Sequence, residues 1–83
     1  MEREQILNVV IKNIKLNIDG LEDEDIDPEQ SMADYGANSL DIVEIVSCSM
    51  RDLKIKAPRT EMANLKNIND LVELFAKVKN ESA

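Results

Sequence analysis

The residues that invite a chemical reading are Gly36-Ala37-Asn38-Ser39-Leu40-Asp41. A glycine turn leads into a serine that opens an apolar-periodic segment. The first amides of a helix lack intrahelical partners and carry a partial positive charge. A phosphate suits that position, including one esterified to the serine hydroxyl. Asn38 is a good cap residue, and a cap there leaves the Ser39 side chain free to point outward. Beside the serine lie Leu40, Val43 and Met50, an apolar patch that is either core or a docking surface for another protein. A serine before an apolar helix is most often an ordinary N-cap, so residue types alone do not establish an attachment site.

The other candidates are weaker. Asp23, Asp25 and Asp27 alternate, which resembles the start of a calcium-binding EF-hand loop. Pro28 then stands where that loop needs glycine, and Asp34 stands where it needs a bidentate glutamate. The acidic run therefore reads as a solvated loop, with no metal site. Cys48 is the only cysteine, so no internal disulfide forms, and it reads as a small packing residue. There is no histidine. That removes Ser–His and Cys–His nucleophile pairs and the usual zinc sites, and argues against an enzyme.

Three amphipathic segments must position the serine. The spacing predicts a first helix over about Glu2–Ile18, with Ile6, Leu7, Val10, Ile11, Ile14 and Ile18 on one face. Gly20 is a natural stop for it. A long connection runs from Gly20 to Asn38, and Leu21, Ile26, Met32 and Tyr35 predict that it is pinned to the bundle. A second helix follows over about Ser39–Leu53, with Ile42, Ile45, Val46 and Leu53 facing inward and small Ser49 among them. Lys54–Pro58 reads as extended, since the residue before proline avoids the helical region. A short helical turn is expected near Arg59–Ala63, with Met62 and Leu65 facing inward. The last helix starts after Asn67, with Asp70 in its first turn and Ile68, Leu71, Val72, Phe75 and Val78 inward. The tail from Lys79 is expected to fray.

The chain has 83 residues, which suits one domain spanning 1–83. Its aromatic residues are Tyr35 and Phe75, so aliphatic side chains must build the core. The net charge is −7, from 17 acidic and 10 basic residues. An acidic chain repels phosphate backbones and anionic lipid, so neither nucleic acid nor membrane is an expected partner. No secretory or transmembrane segment is read, which implies a cytoplasmic protein.

The segment Gly36-Ala37-Asn38-Ser39-Leu40-Asp41, followed by Ile42-Val43-Glu44, resembles the Gly-x-Asp-Ser-Leu motif of acyl carrier proteins. The likeness extends over nearly the whole chain: the long first helix, the acidic crossover, the Pro58 segment and the Asn67-Ile68 helix start. The resemblance implies an all-α, acyl-carrier-type helical bundle with three main helices, a short third helix and a long first loop. It implies 4'-phosphopantetheine on Ser39, transferred from coenzyme A by a phosphopantetheinyl transferase. The chain would tether acyl groups as thioesters, as a monomer with no catalysis of its own. The docking residues implied are Asn38, Leu40, Asp41, Val43, Glu44, Met50 and Arg51.

The chain departs from the family pattern at two places. Asn38 replaces the usual Asp, removing one negative charge beside the serine. Met50 and Arg51 stand where carriers often show Glu, and Lys54, Lys56 and Arg59 follow. Together with Leu53, Ile55, Pro58, Glu61 and Lys66-Asn67-Ile68, these residues resemble the free-standing carriers of polyketide β-branching cassettes. That likeness implies malonyl decarboxylated to acetyl, and acetyl donated to an HMG-CoA synthase-like enzyme (hydroxymethylglutaryl-CoA synthase). An acyltransferase and a decarboxylating ketosynthase would be further partners. The alternatives are a fatty-acid-type acyl carrier, and an unmodified helical interaction module with weak divalent-ion binding.

Overall fold

A computed structural model describes residues 2–57 and 65–81. These residues form three α-helices and one short 3-10 turn: α1 Arg3–Asn17, the 3-10 turn Ala33–Tyr35, α2 Ser39–Leu53 and α3 Ile68–Glu81. The short helix expected over Arg59–Ala63, and with it Met62, lies outside the described residues. The all-α class and the long first loop agree with the sequence reading.

Helix α1 is the central element and packs against both α2 and α3. Its Ile6, Val10 and Ile14 recur at helical spacing and are fully shut from solvent. Leu7, Ile11 and Ile18 pack at the margin of the core. From α2 come Ile45, Val46 and Leu53, and from α3 come Ile68, Leu71, Val72, Leu74 and Phe75. Full burial of one such aliphatic side chain stabilises a fold by about 1.5–3 kcal/mol. Phe75, the largest of the fully buried side chains, occupies the space that a bundle poor in aromatics would otherwise leave to several aliphatics.

The crossover is ordered, as its apolar residues predicted. Ile26, Met32 and Ala37 are buried, and Leu21 and Tyr35 pack against the core. Asp27 N–H donates to the Tyr35 hydroxyl at 2.7 Å, so the loop is also tied to itself. The acidic side chains serve the turns: Asp27 Oδ1 accepts from Glu29 N–H at 2.9 Å, and Asp34 Oδ2 accepts from Ser31 N–H at 2.9 Å. Bonds of this kind are the usual employment of Asp around loops. The crossover also closes the start of α3. Ile68 N–H donates to the Gln30 carbonyl at 3.0 Å and Asn69 N–H to the Pro28 carbonyl at 2.9 Å.

Three local expectations are corrected. Gly20 adopts the left-handed conformation at φ 89°, but α1 ends before it, with Ile18 as an extended C-cap. The stop lies in the turn that follows the helix, not at its last residue. Lys54 is not extended: it sits in the left-handed region at φ 58° and ψ 46°. Ile55 N–H reaches back to the Met50 carbonyl at 3.0 Å and Lys54 N–H to Arg51 at 3.2 Å. This Schellman closure demands a left-handed residue, a position usually given to glycine. Finally, the end of α3 is held. The helix runs to Glu81, and Lys79 Nζ donates to the Leu53 carbonyl at 3.1 Å. A cation on an unpaired terminal carbonyl of α2 is favourable for the helix dipole.

A buried polar pair was not anticipated. Asn13 and Ser49 lie inside the α1–α2 interface at 3% and 0% exposure. Asn13 Nδ2 donates to Val9 O at 3.0 Å, Ser49 Oγ at 3.3 Å and Asp52 Oδ2 at 3.1 Å. Ser49 thus enters the inward stripe as a polar partner of α1.

Candidate functional site

Gly36 sets up the site. It closes the 3-10 turn in the left-handed conformation, φ 92°, and a Cβ added there would meet nothing within 4 Å. Backbone angle, not space, therefore calls for glycine. The reversal turns Ala37 into the core and delivers Asn38 to the head of α2.

Asn38 and Asp41 then build a reciprocal cap. Asn38 Oδ1 accepts from Asp41 N–H at 2.9 Å, and Asp41 Oδ2 accepts from Asn38 N–H at 3.1 Å. The two satisfy each other's otherwise orphaned amides. Ser39 is the first residue of α2 and is exposed. No hydrogen bond ties its hydroxyl to another described residue. The cap reading of this serine thus gives way: Asn38 performs that task.

The predicted docking residues separate into two groups. Leu40 and Val43 are 79% and 58% exposed, large apolar side chains left in water. Glu44 and Arg51 are exposed as well. Met50 is half-buried and packs on the core, its sulfur accepting from Ala57 N–H at 3.3 Å. Asn38 and Asp41 are occupied in the cap. Cys48 is half-buried between Glu44 and Arg51, whose Nη2 lies 3.6 Å from its sulfur.

The structure adds a feature that periodicity did not reveal. An apolar groove of about 580 Å³ runs beside α2, walled by Ile42, Val43, Val46 and Met50. Its other wall is Met32 of the crossover with Leu65 and Leu71. No sequence signal marks such a groove, because its two walls come from segments distant in the chain.

The phosphopantetheine attachment site family matches residues 5–75. The chain belongs to the phosphopantetheine-binding acyl carrier family. The carrier is 37% identical over 79 residues to the polyketide biosynthesis acyl-carrier-protein AcpK of Bacillus subtilis, covering 94% of this chain and 96% of that protein. It is 31% identical over 74 residues to an acyl carrier protein of Syntrophobacter fumaroxidans, covering 88% and 91% of the two. Among solved structures it is similar to a chain in the crystal structure of the curacin biosynthetic pathway HMG synthase in complex with acetyl donor-ACP. That match has a TM-score of 0.85 and 36% identity, over 93% of this chain and 99% of the other.

The group this family holds covalently is 4'-phosphopantetheine. The residues at the head of α2 fit it. A free, exposed hydroxyl stands at the first helical position, and the Ser39 and Leu40 amides lie outside the cap bonds of the turn. Asn38 is neutral, so it adds no charge against a phosphodiester. Among the described residues no helix is long and apolar enough to cross a membrane.

Proposed function

We propose that Ser39 carries the phosphopantetheine arm, and that the carrier donates acetyl to an HMG-CoA synthase-like enzyme in polyketide β-branching. The reading is carried by the exposed Ser39 hydroxyl, bonded to no other described residue, with Asn38 and Asp41 capping each other. When bound, the arm supplies a terminal thiol that holds an acyl unit as a thioester. The chain's own residues supply position. The cap fixes the helix start, Leu40 and Val43 offer an apolar landing surface, and Glu44 and Arg51 border it. With no histidine, the chain has no Ser–His or Cys–His nucleophile pair, and we assign it no catalysis.

Tethering raises the local concentration of the acyl group at each partner. Weak, fast-exchanging contacts suit one surface that serves several enzymes. The partners are a phosphopantetheinyl transferase, an acyltransferase, a decarboxylating ketosynthase and the synthase-like enzyme. Support for the last comes from the acetyl donor-ACP likeness, at 36% identity across nearly the whole chain. The carrier is read as one cytoplasmic domain over 1–83, acting as a monomer.

Intact mass tests the attachment. After incubation with coenzyme A and a phosphopantetheinyl transferase, the protein gains one phosphopantetheine, and Ser39→Ala gains none. No gain with several transferases favours the unmodified interaction module. Acetyl transfer to a synthase-like enzyme tests the role. A rate no faster than that of a fatty-acid-type carrier favours the fatty-acid alternative.

A further inference from the structure

Helix α2 is apolar on more than its inward face. Ile42, Ile45, Val46 and Leu53 pack into the bundle, while Leu40 and Val43 form a second stripe, 79% and 58% exposed. At about 100° per residue, this second stripe falls to one side of the inward one and Asp52 to the other, with Ser49 between them. A roll of α2 about its own axis would exchange Ile45 for Leu40 and Val43 at the core. Val43 already lines the groove beside α2, so the roll has a direction to take. Apolar burial carries no directional preference, so it does not by itself choose between the two rotations.

The contacts that oppose the roll are polar. Asn13 of α1 sits at 3% exposure and donates through Nδ2 to Ser49 Oγ at 3.3 Å and Asp52 Oδ2 at 3.1 Å. The same amide is pinned to its own helix through the Val9 carbonyl at 3.0 Å, so it is held while it holds α2. Lys12, the preceding residue, lies 3.5 Å from the same Asp52 oxygen. Ser49 and Asp52 would both leave Asn13 if α2 rolled toward Val43, and Ser49, fully buried, has Asn13 as its partner on α1.

We infer that Asn13 is a positioning residue: its bonds to Ser49 and Asp52 fix α2 in the one rotation that keeps Leu40 and Val43 in water beside Ser39. The consequence for arm transfer rests on Ser39 as the attachment site. A buried polar contact of this kind adds selectivity rather than strength. An apolar pair of similar volume is often as stable or more so, but it does not discriminate between rotations.

Full-length protein is compared with Asn13→Leu/Ser49→Ala, which replaces the buried bond by apolar groups of similar size. Helicity is expected to be retained and the urea midpoint to stay level or rise. A soluble paramagnetic agent broadens the signals of exposed methyl groups. With half of the molecules rolled, broadening of the Leu40 and Val43 methyls falls about 2-fold, and the KM of a phosphopantetheinyl transferase for the carrier rises about 2-fold at unchanged kcat, because only the unrolled fraction binds. The exchanged pair Asn13→Ser/Ser49→Asn, with the amide on α2 and the hydroxyl on α1, is expected to restore both values. Parent-like broadening of Leu40 and Val43 in the apolar variant overturns the inference, whatever the kinetics. If that variant loses its helicity, Asn13→Ala is read by the same broadening, with the same outcomes for and against. A protein that takes no arm overturns the Ser39 reading alone, and the methyl signals still decide the role of Asn13.

Discussion

Asn38 and Asp41 exchange backbone and side-chain hydrogen bonds across the head of α2, at 2.9 and 3.1 Å. The exchange decides what the neighbouring serine is free to do. Replacing Asn38 by Ala removes one acceptor, and loss of an N-cap costs about 1 kcal/mol. In that variant the Ser39 hydroxyl is the nearest substitute cap. Asn38→Ala should therefore lower the urea midpoint and also slow phosphopantetheine transfer, whereas Asn38→Asp should retain both. Modification at an unchanged rate in Asn38→Ala would show that the cap does not free the serine.

The buried Asn13–Ser49 pair links α1 to α2 where an apolar contact would ordinarily lie. Asn13→Ala leaves Ser49 and Asp52 without their shared donor inside the interface. Loss of a buried partner costs about 1–3 kcal/mol. Chemical denaturation measures this directly, and a change near zero would mean that water replaces the amide.

Asp52 gives the molecule an acid limb. Its carboxyl is held below the ordinary carboxylate range, first by the Asn13 hydrogen bond, which outweighs the opposing effect of burial, and then by the Lys12 ammonium and the nearby Arg51. Its folded pKa is lower than its unfolded one, so the unfolded chain takes up the proton first. The contribution is thus complete above the unfolded carboxylate value of about 3.9, and is lost as pH falls from there through the folded value. Asp52→Asn should flatten the acid side of the stability curve by lowering stability near neutrality, where the contribution is complete, and should approach the parent's stability below the folded value. Parallel curves down to the acid transition would exclude this role.

Leu40 and Val43 stand in water, so acidic replacements there should not disturb the bundle. Leu40→Asp and Val43→Asp are expected to keep the parent's helicity, with stability within about 0.5 kcal/mol. Transfer of the acyl group to partner enzymes should slow, because an apolar contact is replaced by a charge. Unchanged transfer kinetics would remove these residues from the docking surface.

The helices were legible because each carries a complete local signal. Asn38, the inward spacing of Ile45, Val46 and Leu53, and the cap at Asn67 fix α2 and the start of α3 without tertiary help; Asp70 N–H bonds to Asn67 Oδ1 at 2.8 Å. What escaped the sequence depends on residues far apart in the chain. Asn13 carried no signal of burial in the sequence, because its partner Ser49 lies 36 positions away. Lys54 was read as extended along with the run that leads to Pro58, and the Schellman closure instead places it in the left-handed region. The groove was invisible for the same reason. At the site, Ser39 and its cap were legible from one motif, whereas the sorting of Leu40 and Val43 from Met50 required the packed neighbours of α2.

The two bonds from the head of α3 to the carbonyls of Gln30 and Pro28 make the acidic loop and the last helix a single rim. Both sides of that rim contribute to the groove, through Met32 and Leu71, and α2 forms the facing wall. Widening the groove by moving the loop alone would sever both bonds. The facing wall is no looser, since Asn13 bonds to Ser49 and Asp52 and Lys79 to the Leu53 carbonyl, so Ser39 is presented from a helix braced on both sides.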